Sequence, residues 1–303
     1  MSNKLSEVQG RISSVHELES VVSAMRGIAA ARSLEAQSRL DGIRACAGMV
    51  GAAIGDALLL QPGDDDARVH PAIASDAALV IILCAEQGFV GTFNEHVIEA
   101  ASHCAASRST ECLLIGGRGA PFAAERELTI GWAAPMVAHA DEVPALADRI
   151  IGVLYERLNA GQATQAMVLH AVPNPSETIE VVQRVLWPFD FRRFRQPVHA
   201  NPPLVTLPPR RLLALLAEEY IYAQLCEAIM LSFATENEAR MHAMIAARTN
   251  VHNTLDGLIG DSRRLRQEEI TSEIVELSSV GLAAGAVRRK RKPGAETGRS
   301  FTK

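Results

Sequence analysis

The chain has 303 residues, 48% of them apolar, which is enough to form the core of one large domain or two modest ones. A net charge of −5 gives no general attraction to nucleic acid or to an anionic membrane. The five cysteines lack C-x-x-C spacing, which argues against a disulfide framework or a thiolate zinc site and indicates a reducing compartment. With no run of 18 apolar residues and no apolar leader at Met1–Glu7, we expect a cytoplasmic chain without direct membrane insertion.

A long first helix is predicted over residues 1–61. Thirteen of the fourteen prolines lie between Pro62 and Pro209, so this segment is free of them. Apolar side chains recur every three or four residues from Leu5 to Ala29, close to the seam of a coiled coil. Beyond Met25 the helix is rich in glycine and alanine, which would let another helix approach closely.

Basic residues form a stripe along this helix. Lys4, Arg11, Arg32 and Arg39 are separated by multiples of seven residues, and Arg26 lies one position off that register. One interpretation is a solvated helix face. The other is a surface that meets acidic partners.

The middle of the chain, residues 70–200, is predicted to be a small α/β domain. Strands are predicted at Ala77–Cys84, Glu111–Ile115 and Gln165–Val172, with a possible edge strand at Ile179–Leu186, and helices at Asn94–Ala106, Gly119–Glu127 and Asp141–Asn159. Because apolar strands alternate with helices, we expect a parallel or mixed, Rossmann-like sheet.

Three groups in this domain could suggest an enzyme, but none fits a known site. Gly116–Pro121 lacks the third glycine of a dinucleotide-binding turn. Gln87–Gly91 is not followed by the lysine and hydroxyl of a phosphate-binding loop, so an ordinary turn is the better interpretation. His96, Glu99 and His103 share a helix face but lack the H-E-x-x-H pattern, which favours a wetted surface over a metal site. We therefore predict no catalytic residue, cofactor or metal.

A second long helix is predicted over residues 208–284, since Arg210–Ala284 contains no proline. At 1.5 Å per residue it would be on the order of 110 Å long. Its apolar side chains cover only part of the circumference, so it needs a partner along most of its length. The economical fold is mixed α and β: a long antiparallel coiled coil of the two terminal helices with the small α/β domain inserted between them.

Three segments of these helices resemble the gamma subunit of F-type rotary ATP synthases. They are Arg11–Ala31, Glu218–Met241 and, above all, Arg266–Ile274. The middle is similar to the family more loosely, with Gln87–Asn94 in place of the family's glycine-rich turn.

The resemblance implies a mechanical function. In this family the terminal helices form the central shaft inside a ring of three alpha and three beta subunits, and the α/β domain lies against the epsilon subunit and the membrane c-ring. Catalysis belongs to the beta subunits. This chain would then be a non-catalytic rotor that transmits torque between an ion-driven ring and the catalytic ring, on the cytoplasmic face of a bacterial inner membrane.

The resemblance also implies which residues contact partners. Met25 and Arg26 would face an acidic lever segment of a beta subunit, Arg266 and Gln267 would hydrogen-bond a catch loop, and Leu277–Ala284 would turn in an apolar sleeve. The implied contact residues are Met25, Arg26, Arg266, Gln267, Thr271, Glu273, Leu277 and Leu282.

Two features depart from the family pattern. Gly27 stands where the family usually has a larger side chain. Residues 285–303 form a basic extension that we expect to be disordered and solvated. Contact of this extension with the peripheral stalk is the alternative.

Two other functional classes are possible. The first is a small α/β ligand-binding or enzymatic domain with coiled-coil oligomerisation arms, which predicts ligand binding by residues 70–200. The second is a cytoskeletal or adaptor coiled coil. The irregular, small-residue seam disfavours the adaptor, because self-associating dimers keep strict heptads.

Overall fold

The computed structural model describes residues 2–60, 77–106, 109–174, 179–194 and 204–289. The chain divides into two compact units, Met1–Val22 with Ala247–Lys303, and Ser23–Ala246. In chain order the elements are α1 Ser2–Leu58, β1 Ala78–Leu83, α2 Phe93–Ala105, β2 Thr110–Ile115, α3 Ala120–Glu125, β3 Ile130–Ala134, α4 Val143–Asn159, β4 Gln165–Val172, β5 Glu180–Trp187 and α5 Pro209–Arg289.

The two terminal helices are single uninterrupted elements. Helix α1 has 57 residues and α5 has 81, as expected where no proline removes a backbone donor. Pro209 opens α5, a first-turn position where the missing N–H costs nothing. Helix α5 continues to Arg289, past the predicted end at Ala284, and the rest of the basic extension lies outside the described residues.

The five strands form one mixed sheet in the order β3-β2-β1-β4-β5. Strands β1 to β4 pair in parallel, and β5 pairs antiparallel with β4 at the edge. The mixed sheet is confirmed, and the four predicted strands match to within one residue at each end. All six residues of the central strand β1 are buried, which its continuous apolar run predicts.

Strand β3 was missed by the sequence analysis. It has the sequence Ile-Gly-Trp-Ala-Ala and pairs with β2 from Ile130 onwards. Glycine and alanine are poor strand formers, and five residues are too few to show alternation. Its pairing with β2, rather than its own sequence, makes it a strand.

The sheet lies between two helical layers within the unit Ser23–Ala246. Side chains on one face of β1, Leu79, Ile81 and Leu83, belong to a core cluster with residues of α1, α4 and α5. Val80 and Ile82 on the other face pack with α2 and α3. Each fully buried aliphatic side chain contributes about 1.5–3 kcal/mol, so both faces of the sheet hold helices firmly.

Helices α1 and α5 are antiparallel neighbours within this unit. The Ser33 hydroxyl donates to Glu238 Oε1 at 3.1 Å, and Arg44 Nε donates to Glu227 Oε1 at 2.8 Å. Residue numbers rise along α1 as they fall along α5, so the two helices run in opposite directions here.

Candidate partner-contact surfaces

The polar residues predicted to contact partners on α5 are all at the surface. Arg266, Gln267, Thr271 and Glu273 are exposed. Gln267 and Thr271 lie one turn apart, and the Thr271 hydroxyl donates to the Gln267 carbonyl at 2.8 Å. Arg266 and Glu273 are two turns apart on the adjoining face. None of the four side chains packs in the core of its unit, so all four are available to another protein.

An exposed apolar stripe runs alongside these polar residues. Ile270, Ile274 and Leu277 are 51%, 60% and 73% exposed and follow at four- and three-residue spacing on one helix face. Contiguous apolar surface of this kind marks interaction sites in soluble proteins. Leu277, one of the predicted contact residues, lies on this stripe. The side chain of Leu282 lies outside the described residues, although the backbone there is helical.

The predicted lever contact lies on α1 in the other compact unit. Met25 and Arg26 are both half-buried there. Gly27 is exposed, and a Cβ atom at this position would meet no other atom within 4 Å. A larger side chain would therefore fit, so crowding within this chain does not explain the glycine.

The basic stripe of α1 has a mixed environment. Lys4 and Arg11 are exposed in one unit. In the other unit, Arg39 Nη2 lies 2.9 Å from Glu35 Oε1 on the same helix, an exposed pair of the kind that contributes little to stability. Arg39 thus fits the interpretation of a solvated helix face.

A buried charge network fixes α5 to the α/β domain, and the sequence analysis did not identify it. Arg240 is only 5% exposed. Its guanidinium donates to Glu236 Oε1 at 2.6 Å and to Asn237 Oδ1 at 3.1 Å. It also donates to the carbonyls of Gln87 and Gly88, each at 3.2 Å. One side chain therefore joins the long helix to the turn that follows β1.

The electrostatics of this network depend on burial. Burial raises the pKa of Glu236, although the charge and hydrogen bond of Arg240 act to lower it. Burial also raises the pKa of the neighbouring Cys84 thiol, and the Glu236 carboxylate adds to that effect, so this cysteine is unreactive. Arg240 is thus the counter-ion that lets a carboxylate remain inside the domain.

The turn held by Arg240 has an unusual backbone. Phe89 has a φ of 62° and is 65% exposed, and Gly91 has a φ of 56°. At its far end, the Asn94 side chain accepts a hydrogen bond from Ala85 N at 2.9 Å. Because its Gln87 and Gly88 carbonyls point to Arg240, this part of the turn presents acceptors rather than the donors that phosphate requires.

The glycine-rich turn after β2 serves close packing. Gly116 has a φ of 92°, and a Cβ atom there would lie 2.1 Å from the Cys84 carbonyl oxygen. A Cβ atom at Gly119 would lie 2.5 Å from the Cys84 sulfur. These two glycines are required by the neighbouring end of β1.

The chain's own side chains occupy the sheet edge where α/β proteins usually bind ligands. Glu86 Oε2 accepts hydrogen bonds from Gly117 N at 2.9 Å and Met136 N at 3.1 Å, at the carboxyl ends of the strands. A groove of about 550 Å³ lies at the opposite, amino edge, between Ala78, Thr110 and neighbouring residues. Glu86 thus occupies amides that an anionic ligand would need.

The remaining metal candidate shows ordinary helix contacts. His96 Nδ1 lies 2.8 Å from the Thr92 carbonyl oxygen, one turn earlier. In the ranges given above, His, Cys, Asp and Glu side chains form no group of three or more that could hold a metal ion. No helix in the described part of the chain is long and apolar enough to cross a bilayer.

The chain thus combines two very long helices with an α/β domain, and α5 carries exposed polar and apolar side chains near its end, an architecture typical of a stalk subunit. A family model described as ATP synthase matches residues 4–284. The chain is 29% identical to the ATP synthase gamma chain of Solibacter usitatus, with 92% of this chain and 99% of that one covered. It is 25% identical to the ATP synthase gamma chain of Frankia casuarinae, with 91% of this chain and 96% of that one covered. The chain therefore belongs to the gamma-chain family of ATP synthases.

Solved structures support the same fold. The rotor of the Euglena gracilis mitochondrial ATP synthase in rotational state 1 matches with a TM-score of 0.61, covering 89% of this chain and all of that one at 13% identity. A chain from the OSCP/F1/c-ring structure of that synthase in rotational state 3 has a TM-score of 0.65 at 10% identity, covering 99% of this chain and 100% of that one.

Family membership decides between the functional classes. The chain is a non-catalytic rotor subunit of the central stalk of an F-type ATP synthase. The α/β domain is therefore part of a stalk, and the interpretation of it as an enzyme with oligomerisation arms is not supported. Association with a membrane occurs through the complex.

Proposed function

We propose that this chain transmits torque between a membrane ring driven by ion flow and the catalytic ring of alpha and beta subunits. Helices α1 and α5 would act as one shaft, an antiparallel coiled coil. The opposite directions of the two helices in the unit Ser23–Ala246 support this, as does the 4.0 Å approach of Arg248 Nε to Glu19 Oε1 in the other unit.

The observation that carries the proposal is the exposed surface on α5. Arg266, Gln267, Thr271 and Glu273 present polar groups, and Leu277 presents apolar area, on a helix that is buried almost all round earlier in its length. Arg266 and Gln267 would hydrogen-bond a loop of the catalytic ring. Leu277 and Leu282 would lie in an apolar sleeve, which removes the exposed stripe from water.

Met25 and Arg26 on α1 would face an acidic segment of a beta subunit. Both are half-buried within this chain, which leaves part of each side chain for a partner. A guanidinium can form two parallel hydrogen bonds with one carboxylate, and such a bidentate pair is strong where it is partly desolvated. Gly27 beside them would leave room for that segment to approach the helix backbone.

The α/β domain would lie against the epsilon subunit and the c-ring, at the cytoplasmic face of a bacterial inner membrane. The gamma chains of Solibacter usitatus and Frankia casuarinae, which match over nearly their whole length, are bacterial, which supports this location. The basic extension beyond Arg289 would stay solvated, with contact to the peripheral stalk as the alternative role.

Rotation would act through differences in contact. A shaft with unlike faces presents a different surface to each beta subunit at any angle, and so favours a different state in each. The polar and apolar faces around Arg266 and Leu277 are unlike in this sense. No chemical step by this chain is needed.

Co-purification tests the proposal. The chain carries an affinity tag, and the proteins that elute with it are identified and quantified. We expect alpha and beta subunits, each in threefold excess over this chain. A tagged chain that elutes alone, or with itself only, would contradict the rotor function.

A further inference from the structure

A single carboxylate joins three elements within the unit Ser23–Ala246. Glu227 lies on α5, and each of its oxygens accepts from a different arginine. Arg44 Nε on α1 donates to Oε1 at 2.8 Å, and Arg184 Nη1 on β5 donates to Oε2 at 2.8 Å. Arg184 also reaches the Gln224 carbonyl of α5 at 3.4 Å. The two helices and the edge strand of the sheet therefore meet at one residue.

The ion pairs of Glu227 are shielded enough from water to contribute to stability. Glu227 is 16% exposed at its side chain and Arg184 is 23% exposed, whereas Arg44 is 53% exposed. Burial acts to raise the pKa of Glu227, but the hydrogen bonds and charges of both arginines outweigh it, so the pKa is lowered. Glu227 is therefore ionised at neutral pH.

A nearby histidine does not compete for this carboxylate. His170 on β4 is fully buried, and burial together with the charge of Arg184 lowers its pKa to about 4. It is neutral at physiological pH. The charge of Glu227 is thus balanced by the two arginines that connect it to α1 and β5.

From this geometry we infer that Glu227 is a positioning residue that, together with the apolar core, fixes the angle of the α/β domain relative to the two helices under load. A turning helix pair must drag the sheet with it, and a contact that reaches both helices and the sheet resists relative twist. The hydrogen bonds of Arg240 described above join α5 to the turn after β1. Glu227 connects all three.

Because this role rests on the proposed rotor function, the experiment measures both in the assembled complex. The catalytic ring is anchored to a surface, Cys46, the exposed thiol of α1, is replaced by alanine, and a bead is attached to the α/β domain through Arg126→Cys on its exposed surface. Without nucleotide, the angular variance of the bead reports torsional stiffness. With ATP, the same bead reports rotation, and ATP hydrolysis is assayed in bulk.

Glu227→Leu removes both ion pairs while keeping a side chain of similar size. We expect the angular variance to rise by about 1.5- to 2-fold, since other contacts such as Arg240 remain. Hydrolysis should stay unchanged, because the catalytic ring is not predicted to contact this residue. Glu227→Gln keeps one acceptor oxygen and should give a smaller rise, and it carries the test if the leucine variant does not assemble.

The control is Arg39→Ala, which removes an ion pair within α1 that joins no second element. It should leave the variance unchanged. If both Glu227 variants rotate with the variance of the unsubstituted complex, the role of Glu227 is wrong while the rotor function stands. If the unsubstituted complex hydrolyses ATP without turning the bead, the rotor function itself is wrong.

Discussion

Replacing Arg240 with alanine tests how the α/β domain is fixed to α5. The substitution removes a guanidinium that is 5% exposed and leaves Glu236, which is 4% exposed, without its counter-ion. Breaking a buried pair by removing one partner costs about 3–5 kcal/mol. The carbonyls of Gln87 and Gly88 also lose their donor. We therefore expect the free energy of unfolding to fall by an amount within this range or above it.

Urea unfolding of the purified chain, followed by tryptophan fluorescence, measures this loss. The only two tryptophans of the sequence, Trp132 and Trp187, lie on β3 and β5, so fluorescence reports on the α/β domain. Arg39→Ala is a matched control, because Arg39 pairs with Glu35 at the same i,i+4 spacing but at the surface. Its expected cost is below about 0.5 kcal/mol.

The effect of Arg240→Ala should depend on pH. Burial already raises the pKa of Glu236 above its value in the unfolded chain, and removing Arg240 raises it further. A carboxyl group with a raised pKa destabilises the fold once pH exceeds the unfolded pKa, because the unfolded chain ionises more readily. The variant should therefore lose more stability at pH 7 than at pH 4.

A double variant gives a further check. Glu236→Leu with Arg240→Leu leaves no unpaired charge, so its loss should be smaller than the sum of the two single losses. A shift in the free energy of unfolding no larger for Arg240→Ala than for Arg39→Ala would contradict the stabilising role of Arg240. An equal loss of stability at pH 4 and pH 7 would contradict the raised pKa of Glu236 as its cause.

Gly116→Ala should destabilise the α/β domain by at least about 2 kcal/mol, because its φ of 92° and the Cys84 carbonyl leave no room for a Cβ atom. Gly27→Ala, in open space on α1, should instead stabilise the chain by about 0.5–1 kcal/mol. Similar urea midpoints for the two variants would contradict both expectations. Arg266→Ala with Gln267→Ala should leave the purified chain folded but weaken ATP synthesis by the complex, since neither side chain is buried; unchanged synthesis would remove the assigned contact. Deleting residues 286–303 should leave assembly and coupled hydrolysis intact if the extension is solvated, and loss of either would favour the peripheral-stalk contact.

The distribution of proline and apolar residues was enough to predict most elements of the fold. Long proline-free segments at both ends predicted α1 and α5, and short apolar runs predicted β1, β2 and β4. Strand β3 could not be found this way, because its five residues contain a glycine and two alanines. Pairing with β2 stabilises it, and pairing partners are distant in sequence.

The buried charges were not predictable for a related reason. Glu236 and Arg240 stand four residues apart on a helix, which is the usual spacing of a surface ion pair. Their burial depends on the turn after β1, about 150 positions away in sequence. Glu227 is similar, since Arg44 and Arg184 come from distant segments.

The surface contact residues, in contrast to the buried charges, were identified from the sequence. Arg266 and Gln267 were identified by resemblance to the family, and the structure adds that they are exposed. Exposure makes a contact possible, but the partner surface that they meet lies on another chain. Their role therefore remains a prediction that depends on the assembled complex.

Direct observation of rotation tests the central claim. The complex is anchored through its catalytic ring, Cys46, the exposed thiol of α1, is replaced by alanine, and a bead is attached through Arg126→Cys on the α/β domain. On addition of ATP, this account predicts continuous turning in one direction at a rate that follows hydrolysis. A bead that stays at one angle while the anchored complex hydrolyses ATP would contradict it.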